Sequence, residues 1–237
     1  PWRGAQRDFH FQDLNGDGHQ DLIVASGSIE FPVYALAYQD RIYINDGLGN
    51  FKQIISPFPS TPTAFILTED LDQDGDLDLA IGDRSIPFAY GVPVGISFWE
   101  NDGKANFSAF PNQFGKTLKS IGMLTSGSFA DLDEDGNIEL ILAGEWTSIL
   151  IYSLQNGVFK NRSVEFGLSN STGLWNTLLV DDLNGDGKPD ILAGNRGLNS
   201  RLTTSPSAEL RMLVNDFDQN GAIEQILVNQ ESSGATP

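Results

Sequence analysis

Residues 13–25 read DLNGDGHQDLIVA: three aspartates, an asparagine and two glycines lie in the first nine positions, and an apolar run follows directly. Almost the same phrase returns at residues 182–193 as DLNGDGKPDILA. A polar segment with glycines that ends in an apolar run is typical of a turn leading into a buried strand. Further copies of the phrase would make it the structural unit of the chain.

The phrase occurs five times, and we call each copy an acidic loop, numbered by its nine positions. Positions 1, 3, 5 and 9 carry Asp, Asn or Glu in every copy, position 2 is Leu or Phe, and position 6 is Gly. Agreement at six positions in five copies identifies an internal repeat. The loops begin at Asp13, Asp70, Asp131, Asp182 and Asp216.

A second phrase recurs between the acidic loops and predicts a hairpin. It reads IYINDGLGNF at 42–51, FWENDGKANF at 98–107 and, more loosely, IYSLQNGVF at 151–159. Each copy is a β-rich run followed by an Asn/Asp-Gly turn and an aromatic residue. The repeat unit is therefore strand, acidic loop, strand, variable loop and hairpin, or about four strands in roughly 50–60 residues, a period typical of propeller blades.

The predicted fold class is all-β, a β-propeller or propeller fragment of about four to five four-stranded blades. No segment shows a sustained 3.6-residue apolar period, so helix should be scarce. We expect residues 1–237 to form a single propeller domain that is incomplete, with blades missing from the ring. The approximate blades are 1–64, 65–125, 126–176, a short one at 177–210 and a partial one at 211–237.

Composition excludes several classes of function. The chain has 32 acidic and 14 basic residues and a net charge of −18, which argues against nucleic acid and anionic membrane surfaces as partners. It has no cysteine, and hence no disulfide or thiolate site. No apolar stretch is long enough to insert in a membrane. The chain opens at Pro1 without a signal-like segment, so we expect a mature or trimmed form whose signal peptide is not in view.

The acidic loops have the chemistry of calcium sites. Each brings several carboxylates together, and these repel one another unless a cation neutralises them. Flexible sets of six or more hard oxygen ligands suit Ca²⁺, whereas Mg²⁺ requires a stricter octahedron and transition metals favour His or Cys. We predict up to five structural calcium ions. Their side-chain ligands at positions 1, 3, 5 and 9 are Asp13, Asn15, Asp17, Asp21; Asp70, Asp72, Asp74, Asp78; Asp131, Asp133, Asp135, Glu139; Asp182, Asn184, Asp186, Asp190; and Asp216, Asp218, Asn220, Glu224.

Two alternatives compete with this interpretation of the acidic loops. An EF-hand needs Glu at position 12, but that position is apolar in all five copies. A metal-free Asp-Gly hairpin turn is a plausible reading of one copy, but retention of the acid at position 9 in all five favours a metal. The fifth site is the weakest, because Asn220 replaces an acid at position 5.

The pattern DxDxDGxxD followed by an apolar strand resembles the FG-GAP/VCBS repeats of integrin-α-like β-propellers. The resemblance implies calcium loops between the first and second strands of each blade. It also implies a backbone carbonyl ligand at position 7. The stretch from 194 to 221 is similar to bacterial repeat proteins that carry an ASPIC/UnbV domain, which implies an exported protein in an extracellular, cell-surface or periplasmic setting. The implied carbonyl ligands are His19, Asp76, Asn137, Lys188 and Ala222.

The loops after the second strands should emerge at the end of the blades opposite the acidic loops. In the first two units they are long and aromatic, SIEFPVYALAYQD from 28 and RSIPFAYGVPVG from 84. The alternative is that these aromatic residues only pack between blades. The predicted partner-binding residues are Phe31, Tyr34, Tyr38, Arg84, Phe88, Tyr90, Trp146, Arg196 and Arg201.

The sequence favours recognition over catalysis. Its two histidines are His10, which is expected to be structural, and His19, which lies within an acidic loop. No Ser/His/Asp set, phosphate-binding glycine loop or zinc constellation occurs, so we predict a protein that is not an enzyme. The first hypothesis is a protein-binding or adhesion module of an exported bacterial protein. The alternative is a carbohydrate-binding module or a carbohydrate-active lyase or hydrolase on a propeller scaffold.

Overall fold

The residues that the structure describes form antiparallel strands with almost no helix. The structure, a computed structural model, describes residues 6–111, 114, 118–197, 208–231 and 234–236. Within those ranges the only named helix is a single 3-10 turn at Leu36–Tyr38, and no helix is long and apolar enough to cross a bilayer. The predicted all-β class and the scarcity of helix are confirmed.

The described residues form seventeen strands, and we group these strands in five units. Blade 1 is β1–β4, blade 2 is β5–β8, blade 3 is β9–β12, unit 4 is β13–β14 and unit 5 is β15–β17. The strands are β1 Gln6–Gln12, β2 Asp21–Ser26, β3 Arg41–Asn45, β4 Phe51–Ile54, β5 Thr63–Glu69, β6 Asp78–Asp83, β7 Ile96–Asn101, β8 Phe107–Ala109, β9 Met123–Ala130, β10 Glu139–Thr147, β11 Leu150–Gln155, β12 Val158–Asn161, β13 Gly173–Asp181, β14 Asp190–Asn195, β15 Ala208–Asn215, β16 Glu224–Glu231 and β17 Gly234–Thr236.

The sheets agree with the predicted propeller fragment, but its blade boundaries differ from the predicted ones. Blades 1 to 3 each have four strands in sequential order. Unit 4 shows two strands and unit 5 three within the described residues, and unit 4 joins blade 3 through two residue pairs between β10 and β13. The five units do not form one closed sheet in the part described. The blade boundaries predicted at 65, 126, 177 and 211 each fall inside the first strand of a unit, because that strand precedes its acidic loop.

Each of the first four units carries a bulge at one place that the repeat defines. The register of the first strand against the second shifts six residues before the acidic loop, at positions 7, 64, 125 and 176. A bulge leaves one residue unpaired and increases the local twist of the strand. Unit 5 pairs β15 with β16 without such a shift, so its sheet differs from the other four.

The blades stack through one repeated register. We continue the loop numbering into the second strand, so that positions 10, 11 and 12 are the residues after position 9. The residues two and four places before an acidic loop, together with positions 10 and 12, face the preceding unit. Residues three and five before the loop, with position 11, face the following unit. Leu140 and Leu142 of blade 3 accordingly join a core with Ala80 of blade 2, and Ile141 joins the core shared with unit 4.

Close contacts between first strands confirm this stacking register. A Cβ on Gly127, four residues before its loop in blade 3, would collide with the Phe65 ring of blade 2. The N–H of Ile66, at the same place in blade 2, donates to Asp8 Oδ2 of blade 1 at 3.4 Å. In the stack, the residue four places before the acidic loop of one unit therefore lies opposite the residue five places before the acidic loop of the preceding unit.

A buried carboxylate links blades 1 and 2 and makes their contact sensitive to pH. Asp40 is fully buried; its Oδ1 accepts the Ser26 N–H at 2.6 Å and its Oδ2 accepts the Thr63 hydroxyl at 2.8 Å. Burial raises the pKa of Asp40 to about 7, and repulsion from Asp83 contributes to the increase. The folded chain keeps a proton that the unfolded chain releases, so this group's contribution is fully present below about pH 4 and is lost as the pH rises through about 7.

We expect Asp40→Asn to remove this pH dependence. An amide stays neutral and can bond both partners once the Thr63 hydroxyl turns to accept. The free energy of unfolding of Asp40→Asn should exceed that of the parent by about 2–4 kcal/mol at pH 8 and match it near pH 4. Urea unfolding of both proteins across this range measures the difference. A difference that stays constant with pH would contradict the assignment.

Candidate metal centres and the opposite loops

All five acidic loops connect the first and second strands of their units. They follow β1, β5, β9, β13 and β15 and lead into the strands that begin with the acid at position 9. The candidate ion-binding segment is thus a turn between antiparallel strands, the position that the resemblance implies for it. The five loops share the same internal hydrogen bonds, so one geometry serves every copy.

The carboxylate at position 1 organises the turn. Its Oδ2 accepts the N–H of the position 6 glycine at 2.8–3.1 Å in all five loops. Its Oδ1 accepts the N–H of position 5 at 3.0–3.2 Å. Hydrogen bonds from backbone N–H groups favour the ionised form, and Asp182, the position 1 acid of the fourth loop, has a lowered pKa for this reason. The loop is therefore ordered by its own backbone around an ionised group.

The acid at position 9 joins the loop to the sheet. One of its oxygens accepts the position 2 N–H at 2.8–3.1 Å in all five loops. In blades 1 and 2 the other oxygen accepts an N–H from the third strand, from Asn45 to Asp21 at 2.8 Å and from Asn101 to Asp78 at 2.9 Å. Asp21, Asp78 and Glu139 are fully buried. Position 9 therefore fixes where the second strand begins.

Three loops bring carboxylates together closely enough to hold one ion. Within 4.8 Å of one another lie ligand atoms of Asp70, Asp72 and Asp78, of Asp131, Asp133 and Glu139, and of Asp216, Asp218 and Glu224. These are positions 1, 3 and 9. The first and fourth loops have Asn15 and Asn184 at position 3, which offer an amide oxygen instead of a carboxylate.

Position 5 lies outside these three groups. Its Oδ1 instead accepts the N–H of position 7 at 2.7–3.2 Å in every loop. The predicted role of position 5 as a ligand, and that of the position 7 carbonyl, stay predictions.

The electrostatics of the acidic loops fit a cation. Burial raises the pKa of Asp78 to about 6 and also raises that of Glu139, and neighbouring loop carboxylates add to both shifts. Oε1 of Glu139 and Oδ1 of Asp76 are buried without a hydrogen-bond partner among the described residues. Carboxylates that lose hydration on burial and repel one another are stabilised most by a divalent ion, which binds hard oxygen ligands. The residues present therefore suit calcium.

Arg162 supplies a positive charge to the third acidic loop. Its guanidinium lies 2.9 Å from Asp133, 3.6 Å from Glu139 Oε1 and 2.7 Å from the exposed Glu165. Lys188 of the fourth loop pairs with Glu134 of the third at 2.7 Å. Neither basic contact was predicted from the repeat, because both residues lie at positions where the copies differ.

Position 4 adopts a left-handed backbone, which the sequence prediction missed. Its φ is positive in all five loops, at Gly16, Gln73, Glu134, Gly185 and Gln219. Glycine adopts this conformation without the steric cost that other residues incur. Gly16 and Gly185 therefore suit the turn, while the other three copies carry strained residues.

Gln73→Gly is expected to stabilise the second loop. The change would replace a residue at φ 66° by the one that the first and fourth loops carry there. Removing the left-handed strain should raise the free energy of unfolding by up to about 1 kcal/mol, reduced by the greater freedom of glycine in the unfolded chain. Urea unfolding measures the effect. Thr68→Gly, in the strand before the loop, is the control that should destabilise; a loss of stability in Gln73→Gly would contradict the argument.

The hairpin turns lie beside the acidic loops and connect neighbouring blades. The Asn101 side-chain amide donates to the carbonyl of Leu14 in blade 1 at 2.9 Å and to that of Leu77 in blade 2 at 3.1 Å. The N–H of Ala105 also donates to the Leu14 carbonyl, at 3.1 Å. The NDGKAN turn of blade 2 thus holds the first acidic loop in place.

A cleft of about 1040 Å³ lies between blades 2 and 3 at the same end. The second acidic loop contributes Asp70 and Asp72, and the third contributes Gly136 and Asn137. Its walls therefore include the surfaces of two candidate metal loops.

At the other end, a network of polar side chains joins blades 2 and 3 to unit 4. Glu145, which is almost fully buried, accepts the Tyr90 hydroxyl at 2.8 Å and pairs with Arg84 at 3.0 Å. Trp146 donates its indole N–H to the Tyr90 oxygen at 3.0 Å, and Arg196 lies 3.8 Å from Glu145. The structure thus brings together four of the predicted partner-face residues around an acid that the prediction missed.

The remaining partner-face residues that the structure describes differ in exposure, and Phe31 is half-buried. Tyr34 and Phe88 are 71% and 70% exposed. Tyr38 is fully buried, and its hydroxyl bonds the backbone of Phe31. The prediction that Tyr38 contacts a partner is therefore wrong, because its ring fills the base of the 27–40 loop. Arg201 lies outside the described residues.

These features define a β-propeller fragment whose repeated acidic turns are candidate cation sites. The FG-GAP-like repeat family matches residues 13–81, 70–142 and 131–193, and each match begins at position 1 of an acidic loop. The chain belongs to this family, whose modules are β-propeller-like and generally serve in protein recognition. No curated protein matches the chain.

Proposed function

We propose that the chain is a calcium-stabilised recognition module of an exported protein, and that it binds a protein ligand at the end opposite the acidic loops. The observation that carries the proposal is the geometry of positions 1, 3 and 9. Their carboxylates converge within 4.8 Å in three loops, and the same backbone hydrogen bonds order all five. A bound calcium would supply positive charge and oxygen coordination to each loop.

Calcium would leave recognition to the other end of the module. The acidic loops hold the start of each second strand, and the loops that follow those strands present side chains to solvent. A scaffold whose turns are fixed presents its loops with little loss of entropy on binding. The ions are therefore structural in this proposal, and the ligand contacts are made by side chains.

Two aromatic residues support recognition at this end. Tyr34 and Phe88 are each about 70% exposed and hold a left-handed backbone, with φ of 62° and 64°. A bulky residue in that conformation costs of order 1–3 kcal/mol, and such residues cluster at ligand-binding and switch regions. Exposed aromatic side chains are frequent energetic centres of protein interfaces. We therefore propose Tyr34 and Phe88 as ligand contacts.

A metal count and a binding assay test the two parts separately. Equilibrium dialysis followed by elemental analysis should find up to five calcium ions per chain, and finding none would refute the calcium part. For recognition, binding partners are captured from exported proteins of the source cells and identified. Purified partners are then measured against Tyr34→Ala, Phe88→Ala and the control Leu48→Ala.

The control residue Leu48 is 86% exposed in a hairpin turn at the acidic end. Loss of affinity in the first two variants, with Leu48→Ala unchanged, is the expected result. Equal affinity in all three would refute the proposed face. Binding of glycans and no protein on an array would replace the protein ligand with a carbohydrate.

A further inference from the structure

The cleft between blades 2 and 3 lies beside a hairpin that is shorter in blade 3 than in blade 2. The third and fourth strands are joined by residues 102–106 in blade 2 but only by residues 156–157 in blade 3. The longer turn of blade 2 reaches the first acidic loop, where the Ala105 N–H and the Asn101 side chain donate to the Leu14 carbonyl. The shorter turn leaves the equivalent space beside the second acidic loop open, and this space is the cleft of about 1040 Å³.

A change of residue type in the same hairpin also removes a contact between the blades. By the strand pairing, Leu154 in blade 3 takes the place of Asn101 in blade 2, and leucine has no side-chain donor. Leu71 corresponds to Leu14, and among the described residues its carbonyl accepts no hydrogen bond from the blade 3 hairpin. The cleft therefore arises where blade 3 departs from the repeat.

Two glutamates line the cleft at places where the neighbouring blades carry no acid. Glu69 directly precedes the second acidic loop, where blade 1 has Gln12 and blade 3 has Ala130. Glu100 lies in β7, where the strand pairing gives blade 1 an isoleucine, Ile44, which packs against the core between blades 1 and 2. The repeat does not require an acid at either place, so both glutamates are particular to blade 2.

The charges of these two glutamates have no counterpart in the cleft. Both side chains are half-buried, and the described residues that line the cleft include four acids, with Asp70 and Asp72, and no basic residue. The ion pairs among the described residues involve other carboxylates. Calcium in the second acidic loop would neutralise Asp70 and Asp72 but would leave the two glutamates without a cation. Carboxylates partly withdrawn from water are stabilised by a positive charge close to them.

The rest of the cleft wall is largely apolar. Phe110 and Phe114 stack with their ring centroids 4.3 Å apart, and blade 3 contributes Ile138, Leu154 and Val158. Aromatic faces attract cations, and the side chains of arginine and lysine carry their charge on an apolar stem. Carboxylates beside such a wall accept charge-assisted hydrogen bonds from a guanidinium or an ammonium group.

We propose that this cleft binds a basic segment of a protein, with an arginine or lysine side chain against Glu69 and Glu100 and an apolar neighbour against the Phe110 ring. The cleft volume of about 1040 Å³ is at the upper end of ligand pockets, about 300–1,000 Å³, and is larger than a free amine of one side chain's size needs. The site lies at the acidic end of the module and does not depend on the recognition face proposed at the other end.

A peptide array probed with the calcium-saturated protein tests the proposal. The array carries blocked pentapeptides with randomised flanking residues around a central arginine, lysine or glutamine. Peptides with a basic centre should be selected, and the best of them, measured by titration calorimetry, should bind at least tenfold more tightly than its glutamine counterpart. No preference for a basic centre would overturn the proposal. Agmatine is a free guanidinium compound, and its binding as tightly as the selected peptide would overturn the assignment to a protein segment.

Variants of the two glutamates locate the site. Glu69→Gln and Glu100→Gln should each weaken binding of the selected peptide by about tenfold, whereas Glu30→Gln, the same change at an exposed residue outside the cleft, should leave it unchanged. Glu100→Ile copies Ile44 of blade 1 and should abolish binding without lowering the melting temperature, because it removes a half-buried charge. Retained binding in Glu100→Ile would overturn the proposal. Loss of peptide binding when calcium is added would place the basic side chain in the acidic loop and would overturn it as well.

Discussion

Removing calcium is expected to lower the melting temperature of this protein by about 20 °C or more. A ligand present at 100 times its dissociation constant stabilises the folded state by about 2.7 kcal/mol for each site. Several filled loops would thus contribute on the order of 10 kcal/mol, and 1 kcal/mol shifts the melting temperature of a chain of this size by about 2–4 °C. Scanning calorimetry with calcium and with a chelator measures the change. The same scan with magnesium replacing calcium should show a much smaller stabilisation.

Single-loop variants connect this loss to the acidic loops. Asp70→Asn removes the position 1 carboxylate of the second loop and should reduce the calcium count by one. Glu30→Gln removes one negative charge from an exposed residue outside the acidic loops and should leave the count unchanged. The difference in stability between the two variants should be larger when calcium is present than in its absence, where Asp70→Asn loses only a hydrogen bond from a loop N–H. If the parent binds no metal and melts at the same temperature with and without chelator, the acidic loops are turns that bind no ion, and the prediction is wrong.

Glu145→Ala is expected to destabilise the fold by about 3–5 kcal/mol. The change leaves the guanidinium of Arg84, whose side chain is only 15% exposed, without its carboxylate partner. It also removes the acceptor of the Tyr90 hydroxyl. Breaking a buried ion pair by deleting one member costs this much because the remaining charge stays desolvated. Urea unfolding in saturating calcium measures the loss.

Two further variants isolate the cause. Glu165→Ala breaks a pair at a carboxylate that is 62% exposed, and should change stability by less than about 1 kcal/mol. The double variant Arg84→Met/Glu145→Leu removes both charges and should recover most of the loss. A loss below about 1 kcal/mol in Glu145→Ala would show that the network carries little energy.

The repeated parts of the molecule were predictable, and the parts that occur once were not. The acidic loops could be placed between strands because the Asp, Asn and Glu positions, the glycine and the apolar run recur together five times. Glu145 gave no such signal, since one acid after a strand has many possible neighbours. Tyr38 shows the same limit, because an aromatic residue in a long loop can be exposed like Tyr34 or buried, and only the path of the backbone decides.

Backbone conformation was the other part that the residues did not reveal. The left-handed conformation at position 4 is visible in the two glycines but concealed by Gln73, Glu134 and Gln219. The bulges six residues before the acidic loops involve unrelated residue types, because a bulge is set by strand twist and pairing. The close approach of first strands at Gly127 likewise depends on the neighbouring Phe65.

The sequential order of strands within blades 1 to 3 has a consequence for how the protein assembles. Every strand in these sheets pairs with a strand adjacent in the chain, so each sheet needs only short loop closures and can form as soon as its own residues are available. A stack of such units behaves as a linear array in which each member is supported by its nearest neighbours. Under partial denaturation, amide exchange should therefore be slower in blade 2, which has a full blade on each side, than in blade 1.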